Sequence, residues 1–284
     1  MRRILVTGAD GAIGRAATEG LADAGYSVTG LALSYQHPSK ADRPLVGDAC
    51  SSEDVAAALE DVDAVLHLAA IPHPSLGTPY EVFRTNATST FNVLAQAAER
   101  GIDRVVIASS INAFGVPLNV HPVVPAYYPL DENVDTDITD AYSLSKSVDE
   151  QTARMAWRRW GTNVIALRFP LVKSRDQLVT IAERVAANPA AMAREGWAYL
   201  DLRDAVRAII AALEVPLTGA HVIGLAADDI LLDRSTMSLL SDYAPTVPLR
   251  QPVHGRGSLI DTTRARTLLK FSPVHSIHEE YQAV

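Results

Sequence analysis

The chain alternates short apolar runs with longer stretches in which apolar residues return every three or four positions. "RRILVTG" (2–8) is a β-branched apolar run that stops at Gly8, the pattern of a buried strand. "GRAATEGLADAG" (14–25) follows with helical spacing and a closing glycine. "SVTGLAL" (27–33) predicts a second strand, and a third precedes Asp48. "SSEDVAAALEDV" predicts a helix capped by Ser52, with acids in its first turn. "DAVLHLAA" (63–70) and "DRVVIASS" (103–110) read as strands. Between them, residues 78–101 make a long helix with Pro79 at its start and Gly101 at its end.

A polar, proline-rich segment then runs from about 112 to 140, with Pro117, Pro122, Pro125 and Pro129. A loop of that length is usually functional or mobile. A helix over 142–160 and the strand "TNVIALRF" (162–169) come next. Beyond Pro170 the pattern weakens. It predicts helices near 177–187 and 203–213, a late strand at 219–226, and short helices near 234–243 and 262–269.

Strands alternating with helices predict an α/β fold: a doubly wound parallel sheet with right-handed crossovers. Nearly continuous apolar strands suit a sheet covered on both faces. Residues 1–170 would form the core, and 171–284 a smaller substrate-side lobe built on the same sheet. The composition is that of an ordinary globular chain: 284 residues, 48% hydrophobic and 20% charged. The single cysteine, Cys50, excludes an internal disulfide and fits a reducing compartment. A net charge of -8, with the densest basic patch only "RMAWRRWG" (154–161), argues against a nucleic-acid surface. The apolar part of the N-terminal run is too short for a signal peptide, and no apolar stretch approaches ~20 residues. The expectation is a cytoplasmic protein without a membrane span. No paired histidines or cysteines stand at metal spacing.

Two local motifs carry chemistry. The first is "VTGADGAIGR", with Gly8, Gly11 and Gly14 between the first strand and the first helix. Glycines there permit a tight turn and the close approach of a pyrophosphate, and the helix N-terminus offers free N–H groups. An NAD site usually has Asp or Glu at the end of the second strand, for the ribose 2′-hydroxyl. Ala32 stands in that place. The missing acid tilts the expected cofactor slightly from NAD to NADP. Ser34, Lys40 and Arg43 are the nearby candidates for the 2′ group, and Asp48 for the adenine amino group.

The second motif is "AYSLSKSVDEQ" (141–151), which puts Tyr142 and Lys146 one helical turn apart on one face. A tyrosine titrates near 10, so it moves protons at neutral pH only where a positive charge stabilises its phenolate. Lys146 is placed to supply that charge.

"TGADGAIG", "GDA", "HLAA", Asn86, "SSINAFG", "YSLSK", "RFP" and "LDLRDAVRAI" occur in one order along the chain. That order resembles the extended short-chain dehydrogenase/reductase superfamily, which includes NAD-dependent sugar epimerases and dehydratases. The resemblance implies a seven-stranded Rossmann-type sheet, NAD or NADP, and a catalytic group of Ser110, Tyr142, Lys146 and Asn86. It also implies cofactor contacts from Gly8, Gly11, Ala12, Ile13, Gly14, Ser34, Asp48 and Ala49. Leu68, Ala69, Ala70, Ser109, Phe169 and Pro170 would complete them, with Tyr142 and Lys146. Substrate would meet Ile71, His73, Ser110, Ile111, Asn112 and Arg168. For His73 a plain surface loop, and for Arg168 a structural ion pair, stand as alternatives.

Nucleotide-sugar enzymes of this group commonly read R-x-x-N-x-Y-G-P where this chain has "RFPLVKSR". That departure and the short chain favour a small sugar-like substrate, as in the compact uronate dehydrogenases. Dehydratases carry an acid pair where Ile111 and Asn112 stand here. An epimerase with recycled NAD is the alternative, and a non-catalytic sensor a lesser one, since both Tyr142 and Lys146 are kept. Relatives pair through the helices that hold Asn86 and Tyr142, so a homodimer is expected.

Overall fold

In the computed structural model, which describes residues 2–278, seven parallel strands form one sheet in the order β3-β2-β1-β4-β5-β6-β9. β1 (Arg3–Thr7), β2 (Ser27–Ala32) and β3 (Arg43–Val46) lie on one side of the sheet. β4 (Ala64–His67), β5 (Arg104–Ser110), β6 (Asn163–Phe169) and β9 (Ala220–Gly224) lie on the other. The order reverses between β1 and β4. In open α/β sheets a crevice forms there, outside the carboxyl ends of the strands, and ligands bind in it.

Helices cover both faces because the strands are apolar on both. α1 (Ala12–Asp23) and α6 (Leu202–Glu214) pack Ala17, Leu21, Ala208 and Ile209 against Ile4, Val6, Leu66 and Val106. On the other face α2 (Ser52–Ala58), α3 (Pro79–Glu99) and α4 (Ala141–Trp160) cover Leu5, Val65, Val105 and Val164. Each fully buried Leu, Ile or Val contributes about 1.5–3 kcal/mol relative to exposure. α3 begins at a reciprocal cap: Thr78 and Glu81 each satisfy the other's backbone N–H. α2 is capped by Ser51, one residue before the serine that the sequence suggested, and Ser51 accepts from the Asp54 amide.

A third core lies under the C-terminal third, around Trp197, Tyr199, Leu231 and Leu239. Here stand β7 (Leu171–Lys173) and β8 (Tyr199–Asp201), which pair as a separate two-stranded sheet. Both have three residues, too few to show a period in the sequence. α5 (Arg175–Ala187) and α7 (Thr236–Tyr243) complete the lobe, while α8 (Thr263–Leu268) packs Ala265 into the main-sheet core with α1 and α6. Residues 279–284 of the expected lobe lie outside the described residues.

The proline-rich segment is not a free loop. It opens with a 3₁₀ turn, Ile111–Phe114, and then runs as a strap across the lobe. Tyr128 and Leu130 donate backbone hydrogen bonds to Pro248 and Leu259 at 2.9 and 2.8 Å, and their carbonyls accept from Arg250 and Asp261. Tyr128 is fully buried. No helix among the described residues is long and apolar enough to cross a membrane.

Candidate active site

The glycine loop joins β1 to α1 at the point where the strand order reverses. A Cβ on Gly14 would stand 2.1 Å from the Gly8 carbonyl oxygen, and one on Gly8 would stand 2.8 Å from the Ala69 amide nitrogen. Gly8 also has φ +68°, a left-handed turn that glycine adopts without strain. Gly11 is the N-cap of α1, and no side chain caps the helix there. No acid stands in the first turn. The leading N–H groups, from Ala12 and Ile13 onward, therefore keep their donors and the positive end of the helix dipole for a ligand. The cradle fits a pyrophosphate.

Across the crevice, β4 ends under this loop. The amides of Leu68 and Ala69 both donate to the Thr7 hydroxyl at 3.2 Å, and Ala69 and Ala70 are half-buried. At the far end of the crevice Ala49 is buried. Asp48 is exposed, and one of its oxygens accepts from the Cys50 amide. Ser34 is exposed beyond β2. Arg43 is turned the other way, with its guanidinium on Glu60 and the Ala57 carbonyl.

The residues expected to form the catalytic group stand at the end of β5 and in the first turns of α4. Asp140 caps α4 by accepting from the Ser143 amide at 2.8 Å, and so sets the position of the neighbouring Tyr142. Lys146 lies one turn on, its Nζ 6.0 Å from the Tyr142 ring centre. That ammonium donates to the Ala108 carbonyl at 2.8 Å and pairs with Asp149 at 3.1 Å. Burial works against the Lys146 charge, but Asp149, Tyr142 and Glu150 together outweigh it and hold the ammonium above the usual lysine range. Lys146 therefore stays charged through neutral pH. Ser110, at the carboxyl end of β5, accepts from the Asn112 amide at 3.1 Å, which leaves its own O–H to donate.

Asn86 is fully buried and its amide is fully used. It accepts from the Ile71 amide and donates to the Ile71 carbonyl and to Ser145. It thereby clamps the segment after β4 to α4. Ser109 donates to Glu150 at 2.6 Å, and Arg168 holds the same carboxylate through two bonds of 2.7 and 2.9 Å. Of the two roles open to Arg168, the geometry supplies the ion pair: its charge is balanced inside the fold. The cavity beside it, lined by Ile111, Phe114, Glu132 and Gly224, has a volume of about 20 Å³, room for one water. Phe169 and Pro170 are buried at the end of β6. His73 is exposed and accepts from the Ser75 amide, which caps a short 3₁₀ turn. Ile111 is buried. Asn112 has a buried carboxamide oxygen with no donor among the described residues.

The model of the NAD dependent epimerase/dehydratase family matches residues 4–224. The chain belongs to that family. It is 31% identical over 182 residues to a UDP-glucose 4-epimerase of Azospirillum brasilense, covering 61% of this chain and 50% of that protein. It is 29% identical over 175 residues to the uronate dehydrogenase of Agrobacterium fabrum, covering 60% of this chain and 61% of that one. The chain thus spans about half to three-fifths of the length of these two relatives. A short-chain dehydrogenase/reductase superfamily protein from Agrobacterium tumefaciens, solved with bound NAD, shares the fold. Its TM-score is 0.74 over 97% of this chain and 94% of that one, at 22% identity.

Within this epimerase/dehydratase fold, several structural partners escaped the sequence reading. Asp149 and Glu150 stand three and four residues after Lys146, so helical periodicity could have found them. His67 could not be found that way. It is buried between Thr7 on β1 and Thr90 on α3, at 2.8 and 3.2 Å. Asp10, in the glycine loop, reaches across to the segment after β2. Among the described residues no group of three or more His, Cys, Asp or Glu could hold a metal ion.

Proposed function

We propose that the chain is an NAD(P)-dependent oxidoreductase acting on a carbinol or carbonyl of a small sugar-like molecule, with a uronate as the leading candidate. The observation that carries this reading is the Tyr142–Lys146 pair in the first turns of α4, with the Lys146 ammonium on the Ala108 carbonyl of β5, the strand that ends at Ser110. A bound nicotinamide supplies the hydride acceptor or donor. In the oxidative direction Tyr142 takes the proton of the reacting hydroxyl, with the Lys146 ammonium one helical turn away. Ser110 donates a hydrogen bond to the same oxygen and fixes its angle. Asn112, with its unpartnered carboxamide oxygen, is suited to accept from a second substrate hydroxyl.

The small-substrate reading is supported by the similarity to uronate dehydrogenase. With a uronate and NAD or NADP, absorbance of the reduced nicotinamide should rise, and Tyr142→Phe should abolish the rise. The similarity to a UDP-glucose 4-epimerase keeps a second reading open, in which the same hydride is returned to the sugar. An epimerase would interconvert sugars with no net accumulation of reduced cofactor, so the same trace separates the two.

A further inference from the structure

Strand β2 ends at Ala32, without the acid that usually reads the adenosine ribose. The fold brings an acid to that place from another element. Asp10 belongs to the glycine loop, but its carboxylate crosses to the segment after β2. One oxygen accepts from the Gln36 amide at 3.0 Å, and the other lies 3.4 Å from His37 Nδ1. The Ala9 amide donates to the Leu31 carbonyl at 3.2 Å, so loop and strand end are tied together beside it. A cavity of about 250 Å³ adjoins Asp10, with Arg15, Glu19, His37 and Lys40 also in its wall. It lies at the carboxyl ends of β1 and β2, the adenosine side of the crevice in this architecture.

We infer that Asp10 takes the role of the missing β2 acid and makes the site select NAD over NADP. This rests on the reading that the glycine loop binds a nicotinamide dinucleotide. A carboxylate accepts a hydrogen bond from a ribose 2′-hydroxyl and repels a 2′-phosphate. The Gln36 amide holds the Asp10 carboxyl below the usual range, so it is anionic at neutral pH. Its rivals are the cations of the same cavity. Arg15 is already engaged: its Nη1 donates to the Asp10 carbonyl at 2.5 Å and lies 3.2 Å from His37 Nδ1. The cavity wall holds Arg15 and Lys40 against Asp10 and Glu19. Of these four, the Asp10 carboxylate is the one tied to the backbone just after β2, where the ribose is read.

The test is a calorimetric titration of the purified full chain with NAD and with NADP, without substrate. NAD should bind at least about tenfold more tightly, since like charges at contact near a surface change affinity by that order. Asp10→Asn and Asp10→Ser should each narrow the ratio, chiefly by tightening NADP, with melting temperatures close to the parent's. Equal or tighter binding of NADP by the parent overturns the inference. So does a ratio unchanged in both variants. If neither dinucleotide binds, the dinucleotide reading falls and Asp10 with it. If NAD binds selectively but no hydride transfer is found on any substrate, the oxidoreductase reading falls and the assignment of Asp10 stands.

Discussion

Gly14 shows how much a missing methyl decides. Its Cβ would stand 2.1 Å from the Gly8 carbonyl, a backbone atom that cannot yield without moving the loop. Gly14→Ala should therefore destabilise the chain by about 1–3 kcal/mol, the usual cost of overpacking. It should also weaken dinucleotide binding by more than about tenfold, because the N–H cradle would be displaced. Thermal melts and a binding titration check both; an alanine variant with the parent's melting temperature and affinity would refute the account of the loop. At this scale the sequence was readable wherever the signal was local. The glycine spacing and the Tyr142–Lys146 turn each fit within ten residues. For Arg168 the sequence offered an ion pair as one of two roles but not its partner, because Glu150 is 18 residues away and only folding makes the charge internal. Asn86 is similar: it meets Ser145 from 59 residues off, so its work as a clamp was invisible in the helix that carries it.

Helices α3 and α4 pack side by side over one face of the sheet, and each carries an exposed large apolar residue. Phe91 and Leu144 are 51% and 44% exposed, and Val148 and Met155 continue the Leu144 stripe at helical spacing. Apolar stripes on adjacent helices are the surface that a second copy would cover. We propose a homodimer built on this pair, a four-helix arrangement. Sedimentation should show a dimer for the parent, and Phe91→Glu with Leu144→Glu should shift it to monomer. A parent that sediments as a monomer at all concentrations would exclude it. Most element types and their order were legible from periodicity, down to the helix over Ala141–Trp160, but the three-residue strands β7 and β8 were not. The strap was not, since its order comes from hydrogen bonds to Pro248 and Leu259, more than a hundred residues away.

Across the whole molecule, the parallel sheet follows from the alternation of strands and helices, and its strand reversal sets the crevice between the glycine loop and Tyr142. The buried layer beneath that crevice gives the fold an acid weakness. Burial, aided by the Lys146 charge, pushes His67 down to about 3. An unfolded chain would protonate His67 near 6.5, so between about 6.5 and 3 it binds a proton that the folded chain refuses. Stability contributed by neutral His67 is full above about 6.5 and is lost as pH falls through that window, at up to about 1.4 kcal/mol per pH unit. Denaturant melts against pH should show a shallower acid slope for His67→Gln than for the parent; equal slopes would contradict the burial argument. The central claim is that Tyr142 transfers the proton while hydride moves to or from the nicotinamide. Its most direct measurement is turnover of the parent and of Tyr142→Phe, followed by reduced-nicotinamide absorbance with a uronate, alongside a dinucleotide titration. The account predicts a loss of roughly 10²–10⁴-fold in turnover with dinucleotide affinity retained; full turnover by the phenylalanine variant would contradict it.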